Sequence, residues 1–68
     1  MLDRNALKAE IVRNGLTQKA VAKKLGISEK TFISRMKKGV FGSDEIEVMI
    51  RELRITNPTD IFFAKLVT

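Results

Sequence analysis

The sequence predicts an all-α fold of about five short helices, and three observations carry that prediction. Asp3, Thr17, Ser28, Ser43 and Asn57 each stand where a helix would begin. Their side-chain oxygens suit the free N–H groups of a first turn. Gly15, Gly26 and Gly39 follow the first three of these segments, in the place where a helix commonly ends in a left-handed residue. No stretch alternates apolar and polar residues long enough to build a sheet.

The first helix spans about residues 4–14, with Leu7, Ile11 and Val12 on its inner face, and Asn14-Gly15 stops it. Arg13, in its last turn, is read as a partner of the helix dipole. The second helix runs from about Gln18 to Leu25 and is closed by Gly26. Ala20, Val21, Ala22 and Leu25 are its apolar residues, and Lys23 and Lys24 face solvent on its back. The third runs from about Glu29 to Lys38. Phe32 and Met36, four apart, share its inner face. Val40 and Phe41 then serve as apolar plugs over the core edge. Ser43 caps the fourth helix, where Asp44 and Glu45 suit the positive end of the dipole. Ile46, Met49, Ile50 and Leu53 form its amphipathic stripe, and Ile55 packs just after it ends. Asn57 caps the fifth, with Pro58 at the first helical position and Asp60 completing a weak capping box. Ile61, Phe62 and Phe63 are apolar in a row, more than a short helix buries, so one phenylalanine is left over. The tail from Leu66 to Thr68 has β-branched character and no clear partner.

Sixty-eight residues make one domain, 1–68. A chain this short buries only about 60% of its unfolded surface, so its stability is expected to be marginal. Without cysteine, neither a disulfide nor a thiolate metal site braces it. Without histidine, a nucleophile–base pair, paired carboxylates or a glycine-rich phosphate loop, the sequence offers no catalytic constellation. It is read as a non-enzyme with no cofactor, metal or small-molecule substrate. No apolar run approaches the roughly 20 residues that span a bilayer, and charged residues follow Met1 almost at once, so no membrane partner is expected and the cytoplasm is the expected compartment.

Charge is the first functional signal. The formal net charge is +5. Residues 18–38 hold seven basic residues against Glu29, a balance of +6, while the remainder holds six basic and seven acidic residues, a balance of −1. An excess confined to one 21-residue segment suits a surface that meets phosphates, although a solvated helical face would look the same. That segment, about 17–38, has the form of a helix-turn-helix. Two short helices are joined by Gly26-Ile27-Ser28. Gly26 is read as the small residue needed where the backbones come close, and as able to take positive φ, Ala22 as the small contact inside the second helix, and Ile27 as the inward pin. Opposite Phe32 and Met36 on the third helix lie Lys30, Ser34 and Lys37, donors suited to base acceptors and phosphates. Ile33, at the border, has two readings, a contact to a thymine methyl or a half-buried core residue.

Thr17-Gln18, Val21-Ala22, Leu25-Gly26-Ile27-Ser28 and Thr31-Phe32 resemble the helix-turn-helix of the phage Cro/CI repressor family, the lambda-repressor-like domains. The ending Ile55-Thr56-Asn57-Pro58-Thr59-Asp60-Ile61-Phe62-Phe63 is similar to that of short phage-associated regulators of Gram-positive bacteria. The resemblance implies a transcriptional regulator, a phage or prophage Cro-like repressor, that reads a pseudo-palindromic operator in duplex DNA through the major groove. By position it implies base contacts from Glu29, Lys30 and Ser34, with Ile33 beside them. It implies backbone contacts from Gln18, which would also brace the start of the third helix, and from Ser28, Lys37 and Lys38; Thr17, Lys19 and Thr31 join that set. Two departures stand out. The family often has an uncharged amide where Glu29 sits, so Glu29 is either an acceptor for cytosine N4 or simply a favourable charge at a helix N-terminus. The third helix also ends about one residue later than in lambdoid repressors. A homodimer is the expected assembly, with half-sites one turn apart, about 34 Å. Phe62, Phe63, Leu66 and Val67 are its candidate interface, and the same residues equally read as core filling. The competing function is a helical protein-interaction module, an antirepressor or adaptor, which would have no need of the concentrated positive segment.

Overall fold

The computed structural model describes residues 1–64. Five helices follow one another, α1 (Arg4–Arg13), α2 (Gln18–Leu25), α3 (Glu29–Lys38), α4 (Ser43–Glu52) and α5 (Pro58–Phe62), and no strand occurs among the described residues. None of these helices is long and apolar enough to cross a membrane. Leu66 and Val67 lie outside the described residues.

The helix starts follow from local chemistry. Asp3 accepts from the Ala6 amide at 3.0 Å, Thr17 from Ala20 at 3.1 Å and Ser28 from Thr31 at 3.1 Å. Each such cap contributes about 1 kcal/mol. α4 departs from expectation. Its N-cap is Gly42, not Ser43, which is the first helical residue. The Glu45 carboxylate reaches back and accepts from the Gly42 amide at 2.8 Å. This is the reciprocal half of a capping box, made by the residue at the third helical position; glycine has no side chain to supply the other half. Asn57 likewise makes no side-chain cap to α5, so the predicted capping box with Asp60 is not formed.

Helices this short are marginal alone and depend on packing. A single apolar cluster supplies it. Leu7 and Ile11 of α1, Val21 and Ala22 of α2, Phe32 and Met36 of α3, and Met49 and Leu53 of α4 are buried together with Phe41, Ile55, Ile61 and Phe62. Phe32 and Phe41 stack with ring centroids 5.3 Å apart and planes tilted by 48°. α2 packs on both α3 and α4, while α1 packs on α5. The Asp3 amide donates to the Ile61 carbonyl at 2.7 Å, which fastens the two ends of the described chain.

Three apolar residues correct the sequence reading. Val12 is not on the inner face but 74% exposed. Leu7 and Ile11 define the buried stripe, and one residue further turns about 100° away from it. Of the two plugs, only Phe41 is buried; Val40 is exposed. Phe63 is the phenylalanine left over, 59% exposed, whereas Phe62 is buried. Phe62 is therefore core filling and is withdrawn as an interface residue.

Long-range polar contacts close the end of α4. Arg13 donates to the Leu53 carbonyl at 3.0 Å and the Arg54 carbonyl at 3.3 Å, and Asn14 donates to the Leu53 carbonyl at 2.8 Å. Arg13 is thus a partner of a helix C-terminus, but that of α4, while within its own helix it pairs with Glu10. Arg54 follows with φ 52°, the one positive-φ residue besides glycine among those described. A left-handed conformation costs a non-glycine residue roughly 1–2 kcal/mol, part of which glycine would return through its looser unfolded chain. Arg54→Gly is expected to stabilise the protein by about 0.5–1 kcal/mol, measured as a higher midpoint in urea unfolding with an unchanged slope.

Candidate nucleic-acid interface

Burial of Phe32 (0% exposed) and Met36 fixes the rotation of α3 about its own axis. Everything opposite then faces outward. Glu29, Lys30, Ser34, Lys37 and Lys38 are exposed, and Ile33 is 40% exposed. The core reading of Ile33 is thereby set aside. Ser28 is exposed at the helix start and Thr31 is half-buried beside it. The Ser28 hydroxyl donates to Thr31 Oγ1 at 3.0 Å while accepting from its amide. Both hydroxyls are therefore engaged in the cap, which stiffens the helix N-terminus.

The α2–α3 turn is held by backbone geometry. Gly26 has φ 74°, and its amide donates to the Lys23 carbonyl at 3.1 Å while the Ile27 amide reaches back to Ala22. A Cβ added at Gly26 would meet nothing within 4 Å. Of the two roles expected of Gly26, the left-handed backbone is the one that requires glycine; close approach of the helices does not. Close approach falls instead on Ala22, which is 1% exposed. Ile27 is half-buried against the core, the pin expected of it.

Thr17, Gln18 and Lys19 start α2. Thr17 and Lys19 are exposed and Gln18 is half-buried. Thr17, Lys19, Ala20, Lys23, Ser28 and Glu29 line a shared concavity floored by Ile27, so the start of α2 and the start of α3 form one continuous surface. Gln18 turns to the other side and lines a hollow with Lys8, Val12 and Leu16. No hydrogen bond among the described residues joins its side chain to α3, so the expected brace is absent. Lys23 also moves: it is not on the back of α2 but beside Lys19, in the concavity that meets α3. The i, i+4 spacing of Lys19 and Lys23 is the sequence signal for this placement.

The basic residues divide into two groups. Lys24 pairs with Glu52 at 3.0 Å, and Arg35 pairs with Glu45. Both tie the α2–α3 unit to α4. Arg4 donates to the Lys37 carbonyl at 3.1 Å and secures the far end of α3. None of these cross-links was legible in the sequence, because each joins residues far apart in the chain. Among the described residues no ion pair engages Lys19, Lys23, Lys30, Lys37 or Lys38. These five lysines thus carry unpaired charge on α2 and α3, where Glu29 is the one acid; Arg4, Lys8 and Arg54, elsewhere in the fold, are also outside any ion pair among the described residues. No group of acidic residues able to hold a metal occurs among the described residues.

Comparison with protein-family models, curated proteins and solved structures finds no match for this chain.

The Lys24 ammonium, through its hydrogen bond and charge, holds the Glu52 carboxyl below its ordinary value. A depressed carboxylate favours the folded state above the ordinary glutamate value and loses that contribution as the pH falls through the lower folded value. Because the pair is exposed, the effect is small. Glu52→Gln is expected to flatten the acid limb of melting temperature against pH, with wild type and variant converging at the lowest pH.

Proposed function

We propose that this chain is a sequence-specific DNA-binding regulator that enters the major groove with the exposed face of α3. The observation that carries this reading is one row of side chains. Glu29, Lys30, Ile33, Ser34 and Lys37 share the exposed side of a helix whose other side is locked by Phe32 and Met36. A rigid helix that presents donors and one methyl-bearing side chain suits base edges, which are read by hydrogen bonds and thymine-methyl contact. The surrounding lysines, free of internal partners, suit phosphates. Lys30 and Ser34 are the principal base readers, with Ile33 against a thymine methyl. Lys19, Lys23, Lys37 and Lys38 contact the backbone, and Thr17, Ser28 and Thr31 flank them; Gln18, turned to the other side of α2, is left out of the contact set.

The helix-turn-helix form of α2 and α3 and the motif residues Thr17-Gln18, Val21-Ala22 and Leu25-Gly26-Ile27-Ser28 support placing the protein among Cro/CI-type repressors. A pseudo-palindromic operator follows if two copies bind together. Glu29, exposed at the first position of α3, serves the helix dipole and accepts from cytosine N4 where the operator offers one.

Electrophoretic shifts over a salt series on a selected operator test the reading. Lys30→Ala is expected to cost about 1–3 kcal/mol and relax preference at one base pair, whereas Lys37→Ala weakens binding on all sequences and lowers the salt slope by about 1. Lys24→Ala, whose ammonium is committed to Glu52, is expected to leave the slope nearly unchanged. Unchanged affinity in both the Lys30 and Lys37 variants would overturn the docking. Failure of the wild type to stay on heparin at moderate salt would favour the protein-interaction module instead.

A further inference from the structure

The three asparagines of the chain differ in the residue that follows them. Asn57 precedes Pro58, whose nitrogen carries no proton. Asn5 precedes Ala6 in the first turn of α1. Asn14 precedes Gly15, where no side chain shields the backbone nitrogen. An asparagine Cγ and the next backbone nitrogen are one bond short of a five-membered ring. Once that nitrogen loses its proton it can attack Cγ, a reaction that an adjacent glycine favours most. The end of α1 therefore carries a chemistry that its role as a helix stop does not use.

The fold holds the two reacting groups apart. Asn14 has ψ 4°, so its own nitrogen, not its Cβ, is eclipsed with that of Gly15. Ring closure needs the reverse arrangement. The Gly15 amide donates its proton to the Val12 carbonyl at 2.8 Å. The carboxamide is anchored as well. Asn14 Nδ2 donates to the Glu10 carbonyl and to the Leu53 carbonyl, each at 2.8 Å. Both of its N–H groups are thus engaged, one within α1 and one across to the end of α4. Asn14 is half-buried, whereas Gly15 is exposed to water and hydroxide. Reaction needs the turn to open and the Leu53 contact to break. Such local openings occur more readily at helix ends and turns than in the core.

We propose that Asn14 is a modification site, the residue at which the chain deamidates spontaneously, and that the clamp on α4 holds the reaction back in the folded protein. The Gly15 nitrogen gives its proton to hydroxide and bonds to Asn14 Cγ. The Cγ–Nδ2 bond breaks, and Nδ2 takes a proton from water and leaves as ammonia. Water then opens the succinimide ring at one of its two carbonyls and leaves aspartate or isoaspartate at position 14. One water is consumed and one ammonia released, with no oxidant or reductant. Either product replaces a double donor by a carboxylate, which only accepts. It faces the Glu10 and Leu53 carbonyls with no proton to give, so the asparagine half of the clamp is lost. Openings of this corner thus accumulate as a permanent change. The chemistry does not depend on DNA binding.

Peptide mapping by mass spectrometry tests the proposal, on wild-type protein aged at mildly alkaline pH with and without denaturing guanidinium. Aspartate and isoaspartate are expected at position 14, well ahead of positions 5 and 57. The folded protein is expected to react at least about tenfold more slowly than the denatured chain, the ratio that an opening free energy of about 1.4 kcal/mol supplies. Gly15→Ala, compared in denaturant where folding plays no part, slows the reaction several-fold. Arg13→Ala removes the other donor to the Leu53 carbonyl and leaves the reacting pair intact. It speeds the reaction several-fold in the folded protein and leaves the rate in denaturant nearly unchanged. Asn14→Asp, which stands for the aspartate product, unfolds at a lower urea midpoint than wild type. Equal rates in folded and denatured chains, or an Arg13→Ala rate equal to wild type when folded, would overturn the gating. Absence of the products at position 14 after ageing in denaturant would overturn the site. An Asn14→Asp midpoint matching wild type would overturn the loss of the clamp.

Discussion

The burial of Phe32 is the contact on which the rest depends. Its ring is fully enclosed, stacked on Phe41, with Met36 one turn further along the same side of α3. Truncating a buried phenylalanine to alanine typically costs about 3–5 kcal/mol, a large share of the stability of a domain this small. The same contact does something energetics alone does not describe. It sets the rotation of α3, and so decides that Lys30, Ser34 and Lys37 point outward together. An equally stable packing rotated by one residue, about 100°, would turn that row away from its outward direction.

The polar contacts around this core hold the α2–α3 unit in place without using up its exposed face. Lys24 and Arg35 reach α4, and Arg4 secures the last turn of α3. These cross-links are worth little each in water. Their main consequence is to divide the basic residues of α2 and α3: Lys24 and Arg35 are neutralised by α4, while Lys19, Lys23, Lys30, Lys37 and Lys38 keep their charge.

What the sequence disclosed and what it withheld divide along a physical line. Asp3, Thr17 and Ser28 were legible as caps because capping is decided within three residues. The buried stripes of α1, α3 and α4 were legible because helical period is local. Val12 was misjudged because an apolar residue one step off a stripe looks like part of it. Gly42 was not legible as the α4 N-cap because glycine offers no capping oxygen, and the neighbouring Ser43 does. The clamp of Arg13 and Asn14 on the end of α4 bridges about 40 residues of chain, and nothing local announces it. Gly26 was legible through its left-handed backbone angle, a local property, whereas the crowding also expected there is absent. At the candidate interface the α3 row was readable from a helical wheel, whereas the place of Lys23 beside Lys19 depended on how α2 meets the turn.

The central claim is that the exposed face of α3 and the adjoining starts of α2 and α3 form one nucleic-acid-binding surface. Amide chemical-shift mapping during titration with a selected DNA duplex tests it most directly. The account predicts the largest changes at Lys30, Ile33, Ser34 and Lys37, with smaller ones at Thr17, Lys19 and Lys23, and little change in the buried half of α4. Changes concentrated on α1 or α5, or none at all under conditions where the DNA binds, would contradict it.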